Sequence, residues 1–78
     1  MHNSKKNMGD MIKTRREMLG LLQPELASIA RVSTRTLQLV EKGKANPSIE
    51  TLLQIADPLG LTLELRLKNM DKSAKTLR

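Results

Sequence analysis

The sequence of 78 residues contains no cysteine and no phenylalanine, tyrosine or tryptophan. The absence of cysteine excludes disulfides and thiolate metal sites. Without aromatic rings, the core must be built from Leu, Ile, Val, Met and Ala, which favours helices packed through aliphatic ridges. A chain of this length forms one domain, near the lower size at which a core holds without disulfide or metal staples.

Long apolar runs and catalytic constellations are also missing. No apolar stretch approaches the roughly 20 residues that span a bilayer, and the opening MHNSKKNMGD lacks the apolar segment of a secretory signal. His2 is the single histidine and has no neighbour to complete a metal site. The carboxylates are scattered singly, and no Ser/His/Asp set or phosphate-cradling glycine loop appears. We therefore expect neither an enzyme nor a cofactor.

Charge of both signs is present, but its distribution is uneven. The net charge is +6, whereas residues 9–67 hold eight basic and seven acidic residues. Most of the excess therefore lies in a predicted disordered arm, residues 1–7, and a predicted disordered basic tail, residues 68–78, on either side of a domain at residues 8–67. An acidic polymer is one partner that such a balance indicates, and solvated tails are the alternative.

Hydrophobic periodicity and capping residues predict four helices, which begin at about Asp10, Pro24, Thr34 and Ser48. Gly20 and Gly43 are suited to ending the first and third of these helices. Asp57-Pro58-Leu59-Gly60 predicts a break after the fourth, because a residue before proline disfavours the α conformation.

The period then changes to two. Leu61, Leu63, Leu65 and Leu67 alternate with polar residues, which predicts a strand with one apolar face. A solitary strand leaves its backbone groups unmatched, so the economical partner is the same strand of a second copy, paired antiparallel in a homodimer. A last helix with a leucine-rich surface is the alternative.

Two short helices joined by a tight turn over residues 22–43 have helix-turn-helix dimensions. From the cap at Ser33, the second helix presents Thr34, Arg35 and Gln38, which we predict to contact DNA bases. Arg binds guanine, Gln binds adenine, and Thr offers a hydroxyl and a methyl group. An ordinary solvated helix face is the alternative. Flanking side chains are predicted to contact phosphates and so to fix register: Gln23, Ser33, Thr36, Lys42, Lys44 and Asn46.

The order and spacing of several residues resemble the phage-repressor/Cro (XRE) family over about residues 11–60: Arg16, Gln23, Leu26-Ala27, Val32-Ser33, Leu37, Glu41-x-Gly43, Pro47-Ser48, Leu52-Leu53 and Leu59-Gly60. The resemblance implies an all-α, five-helix lambda-repressor-like domain that, as a dimer, inserts its third helix into the major groove. It also implies an internal ion pair between Arg16 and Glu41, which we interpret as structural. Two positions depart from the family pattern. Arg31 stands where the turn usually has glycine, and Leu22 stands where the second helix usually has a Ser or Thr cap.

The segment LTLELRL, residues 61–67, resembles the HipB-like branch of the family, antitoxins in which paired C-terminal strands join the dimer. That resemblance implies a repressor of its own operon that binds a palindromic operator in double-stranded DNA and a HipA-like kinase toxin. We would expect it in the bacterial cytoplasm, at the nucleoid when bound to DNA. The alternatives are a phage or restriction–modification regulator, or a protein-interaction adaptor without specific DNA binding.

Overall fold

A computed structural model describes residues 4–67 and contains four helices in them. They are α1 (Ser4–Met18), α2 (Gln23–Ala30), α3 (Thr34–Glu41) and α4 (Ile49–Leu59). Helices α1 and α2 each pack against both α3 and α4. Residues 4–67 contain no strand and no fifth helix, so the predicted five helices with a C-terminal strand are wrong.

The core is aliphatic, as the composition requires. Four side chains that come from α2, α3 and α4 are fully enclosed: Leu26, Leu37, Ile55 and Leu59. Ile12 of α1 and Val40 of α3 close the core on the side where these two helices meet. Burial of each such side chain contributes about 1.5–3 kcal/mol of hydrophobic free energy, which holds α3 to the other helices without any aromatic residue.

All four helices end with the same arrangement of backbone hydrogen bonds. In each, an amide reaches back five residues and the preceding amide reaches back three, as in the pairs Val32 N to Ala27 O and Arg31 N to Ser28 O. The residue that turns out of the helix has a positive φ in every case: Gly20, Arg31, Gly43 and Gly60. Arg31 adopts φ 63°, so the helix-turn-helix turn keeps the left-handed conformation at a cost of about 1 kcal/mol or more.

Side chains satisfy the helix starts. Ser33 and Ser48 each accept a hydrogen bond from the amide three residues on, at 2.9 and 3.1 Å. Leu22 offers no such acceptor at the start of α2, but the Glu25 carboxylate accepts from the Leu22 amide at 2.8 Å. This reversed contact supplies half of a capping box and compensates in part for the missing Ser or Thr.

Helix α1 begins at Ser4 rather than at Asp10, so residues 4–7 belong to the helix and not to an arm. The extension packs against the turn after α3: a Cβ added to Gly43 would lie 2.8 Å from the Cα of Lys6. Further along, a Cβ on Gly9 would lie 2.5 Å from the carbonyl oxygen of Glu41 and closer still to that of Val40. Helix α1 therefore crosses the end of α3 backbone to backbone, a contact that only glycine permits.

Helix α4 ends at Leu59, within the predicted stretch 57–60, but Pro58 lies inside the helix, so the expectation that the helix stops before the proline is wrong. The helix continues for one more residue because Leu59 is buried in the core and Gly60 supplies the left-handed end. The Arg15 side chain donates to the Leu59 carbonyl at 2.8 Å, which places a cation where the helix dipole is negative.

Residues 61–67 have no regular secondary structure, which contradicts the strand predicted for Leu61, Leu63, Leu65 and Leu67. Leu61 packs against the core, whereas the other three leucines are exposed. Alternation by itself supplies no partner for the backbone, and the described residues contain no second strand that could pair with this segment.

Residues 61–63 lie between α1 and α4, with apolar grooves on either side. We call the side chains that line these grooves and stay at least partly accessible the apolar face: Met11, Met18, Leu53, Leu61 and Leu63. None of the residues that line these three grooves comes from α2 or α3. Within residues 4–67, no helix is long and apolar enough to cross a membrane.

Candidate functional site

A buried ion pair joins α1 to the end of α3. Arg16 Nε donates to Glu41 Oε2 at 2.7 Å, and a second guanidinium nitrogen donates to Oε1 at 3.1 Å. Arg16 also donates to the Leu21 carbonyl at 2.8 Å, beyond the end of α1. Both residues are less than a tenth exposed, so the structure brings together the two residues that the sequence pairs, in a bidentate geometry.

The hydrogen bonds to Glu41 raise the pKa of Arg16 above its ordinary value, and burial opposes this only in part. When the pKa of a cationic group is higher in the folded state than in the unfolded state, the group stabilises the fold at every pH below its unfolded-state pKa. This contribution is lost only as the pH rises through the folded-state pKa. Arg16 therefore stays charged across the whole working range, and its ion pair adds no pH dependence there.

Gln23 extends this network to α2 and α3. Its side-chain amide donates to Glu41 Oε1 at 3.0 Å, and its oxygen lies 3.5 Å from the amide nitrogen of Gln38. Gln23, predicted to contact phosphate, is thus held by contacts within the fold, and its amide nitrogen keeps one further hydrogen to donate. Three helices are tied together next to one accessible side of α3.

The accessible side of α3 carries the residues predicted to contact bases. Thr34, Arg35 and Gln38, which we call the reading face, are exposed or half-buried, while Leu37 and Val40 on the opposite side are buried. Leu39 of the same helix is half-buried. Because the inner side is packed and Glu41 is fixed, the reading face sits on a rigid helix.

The predicted phosphate-contact residues lie in two places. Ser33 and Thr36 are at the start of α3, where Ser33 Oγ caps the Thr36 amide and lies 2.9 Å from Thr36 Oγ1. Lys42, Lys44 and Asn46 are exposed in and after the turn that ends α3. Lys42 and Lys44 share a polar cleft with Gln23, Glu41 and three residues of α1. The two groups lie at opposite ends of α3.

Three contributors to this site escape sequence reasoning: Gly9, Lys13 and the part of α1 before Asp10. Gly9 lies before the predicted start of the first helix at Asp10, so the usual signal, a glycine inside a helical pattern, did not apply to it. Lys13 gives no such signal, because an exposed lysine fits any helix surface. The described residues contain no group of three or more His, Cys, Asp or Glu side chains that could hold a metal ion.

Comparison with known proteins gives a consistent family. Residues 12–65 match the family described as helix-turn-helix, HTH_3. An HTH-type transcriptional regulator of Haemophilus influenzae is 42% identical over 59 residues, which are 72% of this chain and 60% of that protein. The regulator DdrOP3 of Deinococcus deserti is 31% identical over 62 residues, or 80% of this chain and 48% of its own length. The chain thus spans about half to three fifths of these two relatives.

Solved structures share the fold. The restriction-modification controller protein C.AhdI from Aeromonas hydrophila has a TM-score of 0.73 at 24% identity, over 78% of this chain and 92% of its own. The clp gene regulator ClgR from Corynebacterium glutamicum has a TM-score of 0.71 at 29% identity, over 76% of each chain. At 24% identity the first likeness concerns the fold alone.

Proposed function

Because the chain belongs to the helix-turn-helix family of transcriptional regulators, we propose that it is a sequence-specific DNA-binding repressor whose α3 enters the major groove. The observation that carries the proposal is the contrast between the two sides of α3. Its inner side is fixed by Leu37, Val40 and the Arg16–Glu41 pair, and its outer side leaves the reading face accessible.

Each residue of the reading face has a distinct role in this proposal. Arg35 is exposed and can form two hydrogen bonds to guanine, so it is the main specificity residue. Gln38 is oriented by Gln23 and can read adenine with its amide. Thr34 stands in the first turn of α3, where its hydroxyl and methyl group can meet a base edge.

The protein acts as a dimer in this proposal, because one short recognition helix reads only half of a palindromic operator. The second copy is expected on the apolar face, where Met11 is 60% and Leu53 is 50% exposed. Accessible apolar side chains on two neighbouring elements are typical of a surface that a partner covers. Pairing through helix side chains replaces the strand pairing that the sequence predicts.

The antitoxin role expected from residues 61–67 depended on paired C-terminal strands. Without a strand in that segment the role loses its structural support, and a HipA-like toxin stays a prediction of the sequence alone. The proposal therefore stops at an operator-binding repressor. A protein-interaction adaptor is disfavoured, because it would not need Arg35 and Gln38 on a locked helix.

Selection from a pool of randomised DNA duplexes tests the proposal. The protein should enrich a palindromic sequence, and Arg35→Ala should cost about 1–3 kcal/mol of discrimination at a single pair of symmetric positions. Glu25→Ala is a suitable control, since Glu25 caps α2 away from the reading face. If no sequence is enriched by the folded protein, specific DNA binding is ruled out.

A further inference from the structure

Lysines from two distant parts of the chain line one cleft at the C-terminal end of α3. Lys6 and Lys13 come from α1, and Lys42 and Lys44 come from the turn after α3. The other residues that line the cleft are Asp10, Gln23 and Glu41. The sequence separates the two lysine pairs by about thirty positions, and only the fold brings them to one place.

The close packing of α1 on α3 creates this cleft. Gly43 has φ 73° and leaves no room for a side chain beside the backbone of Lys6. Gly9, one turn further, touches the last carbonyls of α3. With both contacts in place, the row of α1 that holds Lys6, Asp10 and Lys13 runs alongside the basic turn.

The carboxylates of the cleft are already occupied. Glu41 is bound by Arg16 and Gln23, and Asp10 lies 3.5 Å from the Lys6 ammonium. By contrast, no ion pair within residues 4–67 involves Lys13, Lys42 or Lys44. Three accessible ammonium groups therefore surround an opening whose negative charges are neutralised by the fold. Such an opening suits a phosphate.

We propose that Lys13 of α1 is a further contact to the phosphate backbone of DNA, in the cleft where Lys42 and Lys44 are already predicted to contact it. The inference rests on the proposed DNA binding and adds to it a surface outside the helix-turn-helix pair. Helix α2 also begins at the cleft, and the positive end of its dipole favours the same ligand. Contacts of this kind position the protein and carry no sequence information.

The test measures the salt dependence of binding to a random-sequence duplex and to the duplex enriched by selection. Lys13→Gln and Lys44→Gln should each lower the slope of log affinity against log salt by about 0.9, in equal measure for both duplexes. Lys13→Arg should restore the slope. Arg66→Gln removes the same charge from an exposed residue outside the cleft and should leave the slope unchanged.

The outcomes separate this inference from the proposed function. If Lys13→Gln has the same salt slope as the wild type, Lys13 does not contact phosphate, and the proposed sequence-specific recognition is unaffected. An equal change in Arg66→Gln would overturn the inference as well, because overall charge would then be the cause. A loss of sequence preference without a slope change is expected only of Arg35→Ala. Circular dichroism of each variant checks that the helices persist.

Discussion

The reading face and the apolar face are built on opposite principles. The reading face is polar, and α3 beneath it is fixed by a buried network that joins three helices. The apolar face consists of accessible methionine and leucine side chains on α1, α4 and residues 61–63, and no part of the described chain covers it. The fold orders the first surface, and it leaves the second accessible.

The difference shows which surface of this small domain is held rigid. A polar surface of the kind proposed to bind DNA gains from rigidity, since a side chain that is ordered in advance loses less conformational entropy on binding. An apolar surface needs only area and shape, so exposed and irregular segments can serve. Four changes should break or sharpen the contrast, from the largest expected effect to the smallest.

Removal of Glu41 disrupts the hydrogen-bond network that Glu41 forms with Arg16 and Gln23 beneath the reading face. Glu41→Ala leaves the Arg16 guanidinium buried without its carboxylate, which should lower the free energy of unfolding by about 3–5 kcal/mol. Urea denaturation measures the loss. The double variant Arg16→Met/Glu41→Leu should be more stable than Glu41→Ala. If Glu41→Ala lowers the free energy of unfolding no more than the double variant does, the unpaired buried charge is not the cause of the loss.

Gly9→Ala attacks the crossing of α1 and α3. The new methyl group meets backbone carbonyls that cannot move independently, so we expect a loss of about 1–3 kcal/mol together with weaker DNA binding. Gly20→Ala is the matched control, because nothing lies within 4 Å of its Cβ and only the left-handed φ is strained. That control should reduce stability without an effect on DNA binding of the folded protein.

Arg31→Gly should remove the backbone strain in the turn between α2 and α3, where Arg31 is the non-glycine residue with a positive φ. Glycine adopts φ 63° freely, so the free energy of unfolding should rise by about 1 kcal/mol, less the entropy that glycine adds to the unfolded chain. Thermal denaturation followed by circular dichroism measures the gain. A decrease in stability would mean that the arginine side chain contributes more than its backbone conformation costs.

Leu53→Glu tests the apolar face, where the fold should barely respond. The side chain is half exposed, so stability should change by no more than about 0.5 kcal/mol, while the dimer should dissociate into monomers. Light scattering after gel filtration measures the mass. Ile29→Glu is the control, because it places the same charge on an exposed apolar residue of α2, a helix that lines none of the apolar grooves. Dimers that persist in Leu53→Glu would place the dimer contact elsewhere.

Features encoded within a few residues could be predicted from the sequence. Ser33 and Ser48 start helices, and Gly20 and Gly43 follow helix ends, because caps and left-handed turns depend on the local chain. Arg16 and Glu41 lie 25 positions apart, so only the family pattern predicts their ion pair, and the structure contains it. The reading face lies on the accessible side of α3, and its contacts to bases stay a prediction.

The errors arose where long-range packing outweighs a local signal. Helix α1 starts early because its first turns rest on Gly43, a contact that periodicity cannot reveal. Pro58 stays helical because Leu59 is drawn into the core and Arg15 binds its carbonyl. The alternation of apolar and polar residues over 61–67 is typical of a strand, but the described residues contain no second strand with which this segment could pair. The cleft at Lys13 is likewise a product of packing alone.

The crossing at Gly9 also has a dynamic consequence. Because α1 and α3 touch through their backbones, α3 cannot open by itself, and the two helices should unfold as one cooperative unit. The amide hydrogens of Leu37 and Val40 should then exchange with solvent only through global unfolding. Those of residues 63–67 should exchange without it. In solution the recognition helix would thus be among the slowest parts of the chain to exchange.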